Sequence, residues 1–292
     1  MSTIFKTLRN VLQGVYTASF SYIKPGVPHR LTLDREPETI LRTVYGIINK
    51  IYEAASLGIK LHKGVIGYPD LGIGQLLSSA LKEAYISIGK PPLIDVIIYT
   101  TILSTALSYV IDEGKESISD VKYVSDRIIQ SSRDVDLINF IDGLRAVGHG
   151  DIVEDLEVKG FTVKYIELEG LNLSDGLRAL IDKIPQLEVM IPGNDKVIDI
   201  AKTIIKEYER CRDINNAVVK AYIELIMENG TLPDNIKRLL KESINQGLAL
   251  TGKGQRILFN IDKELRKNKL LYMKYFYMLI PAVIISSIKI PI

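Results

Sequence analysis

Three nitrogen-bearing side chains lie close together in the segment Ser21–Arg30, between two expected helices. Two prolines and a glycine exclude a helix here, so Lys24, His29 and Arg30 are expected on a short, stiff loop. Such a cluster is suited to cradle an anion, for example a phosphate. The alternative is an ordinary connection between helices, with solvated basic side chains.

A second candidate is His149, which stands between two glycines and precedes acidic residues of a predicted helix. Asp151 and Asp155 are four residues apart and therefore share a helix face. Two carboxylates beside one imidazole are suited to bind a divalent cation or to orient the imidazole as a base. The alternative is a helix N-terminus whose acids complement the macrodipole. The sequence identifies no nucleophile for a catalytic triad.

Two glycine-rich segments lack the features of a phosphate loop. Residues 72–75 are not followed by the Gly-Lys-Ser/Thr sequence that such a loop requires. We expect them to begin a helix that packs tightly against a neighbour. Gly252 and Gly254 are expected to form a hinge before the next helix.

Hydrophobic periodicity predicts an all-α fold, a multi-helix bundle. The segment Leu93–Ile111 is apolar nearly all round, which is typical of a buried central helix. Phe161–Leu168 alternates like a strand but has no partner, so we interpret it as an extended loop. Besides a first helix before Ser21 and the central one, helices are predicted at Thr39–Ala55, Leu71–Ile88, Asp134–Val147, Asp151–Val158, from Ser174, Asp195–Arg210, Asp213–Glu228, Pro233–Gln246 and Lys253–Lys267.

Composition restricts the class of protein. The 292 residues, without a low-complexity linker or repeat, indicate one helical domain over residues 1–292. The 37 basic and 35 acidic side chains argue against a dedicated nucleic-acid binder. A single cysteine excludes an intrachain disulfide and a cysteine-rich zinc site.

The C-terminal region contains an uncharged apolar run, Tyr275–Ile288, within an expected helix over residues 270–289. The run is shorter than the roughly 20 residues of a membrane span, and Pro281 interrupts it. We expect a buried helix or an exposed docking segment, through which a homo-oligomer would form. No signal peptide is recognised at the N-terminus, so a cytoplasmic protein is expected.

The loop Lys24–Gly26, followed by His29, Arg30 and Asp34, resembles the signature of the triphosphoribosyl-dephospho-CoA synthase family, in the form found in archaeal relatives. Three weaker matches follow in the expected order: Leu71–Gly74, Gly148–Asp151 and Gly160–Ile166. The resemblance implies an all-α fold. It also implies a reaction in which dephospho-CoA attacks the ribose of ATP and displaces adenine.

Site roles follow from the resemblance. Lys24, Gly26 and Arg30 would form the phosphate-binding loop for the nucleotide. His29 or Asp34 would orient the sugar or accept the proton. A further metal or base site would combine His149 with Asp151 and Asp155, and the expected cofactors are ATP and Mg²⁺. The expected partners are a nucleotide and dephospho-CoA, not a nucleic acid.

Two segments depart from the family pattern. Gly89–Asp95 stands where the family has a Gly-Asn-Thr-Asn-type signature, and Leu270–Phe276 replaces an Asn-Pro-Gly-Thr-Thr-Ala-Asp signature. Loss of both polar motifs indicates an altered substrate or a lost activity. The alternative function is therefore a non-catalytic helical binding or interaction protein that kept the scaffold.

Overall fold

A long apolar helix forms the centre of the structure, a computed structural model that describes residues 2–291. Within that range it contains α-helices and short 3₁₀ turns but no strand, so the all-α prediction is confirmed. The α-helices are α1 Thr3–Phe20, α2 Glu36–Gly46, α3 Ile48–His62, α4 Ile73–Ile88, α5 Ile94–Asp112, α6 Ile118–Gln130, α7 Asp134–Ala146, α8 Gly150–Val158, α9 Val163–Glu169, α10 Leu173–Leu180, α11 Lys196–Cys211, α12 Ile214–Asn229, α13 Asp234–Asn245, α14 Gly252–Lys267 and α15 Met273–Ser286.

Helix α5 is the buried central helix that the sequence predicts. Every residue from Ile94 to Ser108 is buried, and α1, α3, α4, α6 and α15 pack around it. Its buried hydroxyls mostly donate to carbonyls one turn earlier, as Thr100 Oγ1 does to Val96 O at 2.8 Å. Gly58 of α3 allows the closest approach, because a Cβ there would lie 2.1 Å from the carbonyl oxygen of Thr105.

Residues 72–75 begin α4, as predicted, and α4 packs tightly against α7. Gly72 takes a left-handed conformation before the helix, and a Cβ on Gly74 would lie 1.9 Å from the carbonyl oxygen of Asp136. The buried Asp136 carboxylate accepts a hydrogen bond from the Gly74 N–H at 2.8 Å. Gly74 therefore allows close helix packing, and Gly72 allows the turn before the helix.

The apolar C-terminal run forms α15, and all its residues from Phe276 to Ser286 are buried within the chain. It packs mainly against α1, α11 and α5. The prediction of a buried helix is confirmed, and an oligomer formed through this helix stays a prediction.

By length and composition, α5 is the one helix within residues 2–291 that could cross a membrane. Its apolar window is 89 % buried inside the protein, as in a core helix. Helix α15, with 14 residues, is shorter.

Three segments differ from prediction. The expected helix Thr39–Ala55 is broken at Ile47, where α2 ends and α3 begins. The expected extended loop Phe161–Leu168 is largely helix α9. Ile166 is the one buried residue of that helix, so a single side chain, and not a periodic apolar face, packs it against the core. Helix α6, which begins after the capping Ser117, was not predicted.

Candidate functional site

A cleft with a volume of about 330 Å³ lies between the start of α2 and the end of α4. Its lining is mostly polar and consists of Arg35, Glu38, Thr39, Arg42, Ile88 and Lys90. The sequence places three of these residues on one face of α2, where Pro37 in the first turn fixes the helix start. Lys90 follows Gly89, whose left-handed conformation ends α4.

The cleft is basic. Arg35, Arg42 and Lys90 are exposed, and Glu38 is the single acidic residue of the lining. Arg42 lies 4.0 Å from Glu38, a long contact between two exposed groups that contributes little to stability. Neither Arg35 nor Lys90 forms an ion pair within residues 2–291. These two cations are therefore free to interact with an anion from solution.

Two carboxyl groups stand close to the cleft residues in the sequence, since Glu36 follows Arg35 and Asp95 comes five residues after Lys90. Burial raises the pKa of Glu36, the residue after Arg35, although the charge of Lys90 lowers it and that of Asp34 raises it. Burial likewise raises the pKa of Asp95 to about 6, against the opposing effect of a hydrogen bond from Gln186. The negative charge of Glu36 contributes to the pKa of Asp95, which shows that the two groups are close enough to interact.

Hydrogen bonds hold both carboxyl groups. Tyr277 of α15 donates its hydroxyl to Glu36 Oε1. The Gln186 amide donates to Asp95 Oδ2 at 2.8 Å, and the Val96 N–H donates to Asp95 Oδ1 at 2.9 Å. A basic cleft beside two carboxyl groups of raised pKa has the components of a site that binds an anion and transfers a proton.

Lys24, the first predicted phosphate ligand, is completely buried. Its ammonium nitrogen donates to Ser21 O at 2.6 Å, to Ser21 Oγ at 3.0 Å and to Ser19 O at 3.3 Å, and it lies 5.5 Å from the centre of the Phe276 ring. Burial lowers the pKa of Lys24 well below its usual range. All three contacts of the ammonium group are to protein oxygens at the end of α1, so the predicted contact of Lys24 with a phosphate has no support in this structure.

Asp262 and Arg266 of α14 bind the rest of the predicted loop. These two residues were not identified from the sequence. Asp262 Oδ1 accepts from the Gly26 N–H at 2.8 Å, and Oδ2 lies 3.5 Å from His29 Nε2. Arg266 pairs with Asp34 at 2.9 Å. The Gly26 N–H and the Asp34 carboxylate therefore have protein partners, whereas His29 Nε2, 3.5 Å from Asp262, is buried without a hydrogen bond.

The buried state of His29 excludes direct access from solvent, since only 2 % of the residue is exposed. Its Nδ1 accepts from the Leu31 N–H at 3.2 Å, which places the proton on Nε2, toward Asp262. Hydrogen bonds and the Arg266 charge lower the pKa of Asp262, although burial alone would raise it.

Arg30, in contrast, is exposed, but it does not line the cleft. Of the loop residues predicted to bind phosphate, it alone presents its charge to solvent. Arg30 therefore provides a natural control for the cations of the cleft.

His149, Asp151 and Asp155 do not form a metal site. His149 Nε2 lies 2.9 Å from the carbonyl oxygen of Pro92. Asp155 pairs with Lys159 at 2.8 Å, an interaction that lowers the pKa of its carboxyl group. No group of three His, Cys, Asp or Glu side chains suited to a metal ion occurs in residues 2–291. These residues do not fit the expected Mg²⁺.

The sequence contains part of the signal for the cleft. Lys90 lies in the segment Gly89–Asp95, which departs from the polar motif of the family. Arg35 and Arg42 are seven residues apart, two helical turns, so they share a face of the helix that begins near Pro37. The proximity of that face to the end of α4 follows only from the tertiary structure.

Comparisons with protein-family models, with curated proteins and with solved structures found no match to the chain.

Proposed function

We propose that the protein binds a phosphate-bearing small molecule in the cleft between α2 and α4. The observation that carries this proposal is the set of three exposed cations, Arg35, Arg42 and Lys90, around a cleft of about 330 Å³. Such a volume lies in the range of small-ligand sites. Guanidinium groups bind phosphate in a bidentate manner, and an ammonium adds a point charge.

A nucleotide with a polyphosphate chain, such as ATP, is the ligand that we favour. Its phosphates would contact Arg35 and Lys90, which have no ion-pair partner within residues 2–291. The resemblance to triphosphoribosyl-dephospho-CoA synthases supports the same ligand class. Because Asp151 and Asp155 do not fit Mg²⁺, the proposal assigns no step to a metal at that position.

The reaction that we propose is transfer of the triphosphoribosyl group. A hydroxyl of the acceptor, dephospho-CoA in the family, bonds to C1′ of the ATP ribose while the C1′–N9 bond breaks. Adenine leaves with the electron pair and takes a proton from water. The hydroxyl proton passes to the carboxylate of Glu36, which lies next to the cleft. A raised pKa makes this carboxylate a stronger base than a solvated glutamate.

A second candidate function is nucleotide binding without catalysis. It is supported by the fixed protein contacts of Lys24, His29 and Asp34, which leave these side chains unavailable to a substrate. It is also supported by Lys90–Pro92, which replaces the amide and hydroxyl side chains of the family signature.

Calorimetric titration with ATP, dephospho-CoA and inorganic phosphate tests the binding proposal. We expect ATP to bind, and Arg35→Ala and Lys90→Ala to weaken binding at least tenfold. No heat with any of the three ligands, with and without added Mg²⁺, would contradict the proposal.

Chromatographic detection of adenine distinguishes the two functions. Release that requires dephospho-CoA and is lost in Glu36→Gln supports transfer. ATP binding without adenine release supports the non-catalytic alternative.

A further inference from the structure

Large apolar side chains are exposed on the outer side of the segment that follows the buried loop. Leu33 is fully exposed, Leu31 is 56 % exposed, and Phe259 of α14 is 39 % exposed. Exposed leucines scattered singly need no explanation, but these three lie within one region of the surface.

Contacts with α14 show that the three residues are neighbours. Leu31 and Phe259 line the same open groove of about 440 Å³. On the other side of Leu33, Asp34 pairs with Arg266 of α14 at 2.9 Å. Arg266 also donates to the carbonyl oxygen of Val27 at 2.6 Å, so Leu33 protrudes from a short segment that Arg266 holds at both ends.

Basic side chains lie along the exposed face of α14. Lys253, Arg256, Lys263 and Lys267 are exposed and recur at intervals of three, seven and four residues, which places them along one face together with Phe259. The ammonium nitrogen of Lys263 lies 5.8 Å from the Phe259 ring centre.

The acidic residues of α14 do not neutralise this face. Asp262 is buried and bonded to Gly26 and Arg266, and Glu264 accepts a hydrogen bond from Asn235 on α13. The segment 253–274 contains seven of the 37 basic side chains and two of the 35 acidic ones. Two of these seven, Arg266 and Lys274, are paired with carboxylates. The four exposed cations of the face form no ion pair within residues 2–291, so their positive charge is not neutralised there.

We infer that this surface, formed by Leu31, Leu33, Phe259 and the basic residues of α14, docks on the anionic surface of a lipid bilayer. Basic side chains around exposed Leu and Phe are typical of interfacial membrane contacts. The cations would lie against lipid phosphates and carboxylates while the apolar side chains enter the acyl boundary. The inference is independent of the proposed function.

The exposure of Leu33 favours a bilayer over a protein or nucleic-acid partner. Leu33 protrudes beside cations that form no ion pair, and a bilayer surface supplies both an apolar boundary and a continuous array of anions for such a combination. A bilayer interface accepts a protruding side chain without a matching pocket. A nucleic acid would use the cations but gain little from Leu33.

Co-sedimentation of the full chain with vesicles tests this inference. We expect binding to vesicles of 70 % phosphatidylcholine and 30 % phosphatidylserine at 50 mM NaCl, no binding to pure phosphatidylcholine, and release at 500 mM NaCl. Each cation removed, as in Arg256→Gln or Lys263→Gln, is expected to weaken binding about fivefold. The matched control Lys164→Gln, on exposed α9, is expected to have no effect.

Fluorescence provides a second readout, because the chain contains no tryptophan. Leu33→Trp introduces a single indole whose emission is expected to shift to shorter wavelength on anionic vesicles. Val158→Trp, at an exposed position on α8, is the control and is expected not to shift. The inference is overturned if wild type does not bind anionic vesicles, or if Arg256→Gln and Lys164→Gln weaken binding equally. It is also overturned if Leu33→Trp shows no shift, or if single-stranded RNA binds this face and vesicles do not.

Discussion

Two lysines illustrate the difference between the predicted loop and the observed cleft. Lys24 is buried, bonded to three oxygen atoms of the protein and close to an aromatic ring. Lys90 is exposed, lines a cleft with two arginines and has no ion-pair partner within residues 2–291. A lysine whose donors are already satisfied maintains the fold, whereas one with free donors is available to a ligand. Residue type alone does not distinguish the two.

The largest effect is expected for Lys24→Ala, which should lower the free energy of unfolding by about 3–5 kcal/mol. The substitution leaves a cavity where the aliphatic stem lay and removes the donor to Ser19 O and Ser21 O. Chemical denaturation measures this loss. A loss below about 1 kcal/mol would contradict a structural role for Lys24.

The pH dependence of the free energy of unfolding, compared between wild type and Lys24→Ala, tests the buried position of Lys24 a second time. Since burial lowers the pKa of Lys24, the folded protein releases the Lys24 proton at a lower pH than the unfolded chain does. Wild type should therefore gain stability relative to Lys24→Ala as the pH approaches 10. An identical pH dependence for both proteins would argue against the buried position.

Asp95→Asn is expected to have the next largest effect, again dependent on pH. The pKa of Asp95 rises from about 3.8 to about 6 on folding, so the folded protein holds the proton between these values. Stability should fall by up to about 3 kcal/mol as the pH rises from 4 to 7. Asparagine resembles the protonated acid, so the variant should lose this dependence and exceed wild type at pH 7. Chemical denaturation of wild type and Asp95→Asn at pH 4 and at pH 7 measures this difference in stability.

Arg35→Ala is expected to weaken ATP binding by about 1.5–3 kcal/mol, the range for a charge-assisted hydrogen bond, without a change in stability. Arg30→Ala is the matched control, since Arg30 is exposed outside the cleft. Titration calorimetry of both variants measures the difference. Equal losses would show that the charge of the whole region, and not the cleft, attracts the ligand.

Glu38→Gln is expected to have the smallest effect, a two- to threefold gain in ATP affinity. The substitution removes the one acidic group of the lining and frees Arg42, while the contact that is lost, at 4.0 Å, contributes little. A reduced affinity would instead assign Glu38 a direct contact with the ligand.

The sequence predicted those parts of the fold that depend on local pattern. The apolar periodicity of α5 and the glycines before α4 are local signals, and both predictions are confirmed. The position of Lys24 could not be predicted, since Phe276 and Asp262, which enclose its loop, lie more than 230 residues away in the sequence.

The candidate site was only partly predictable, for the same reason. Arg35 and Arg42 share a helix face that sequence spacing reveals, whereas their proximity to Lys90 depends on how α2 packs against α4. Likewise, α9 was missed because a single buried residue, Ile166, anchors it, too few to produce a periodic pattern.

The most direct test compares the same substitution in the two regions, Lys24→Ala and Lys90→Ala. ATP is titrated into each protein under conditions in which it is folded, and the free energy of unfolding is measured separately by chemical denaturation. We predict that Lys24→Ala retains the wild-type affinity for ATP and loses stability, whereas Lys90→Ala retains stability and loses affinity at least tenfold. The opposite result, a folded Lys24→Ala that no longer binds ATP beside a Lys90→Ala that binds normally, would contradict the assignment of the cleft as the phosphate site.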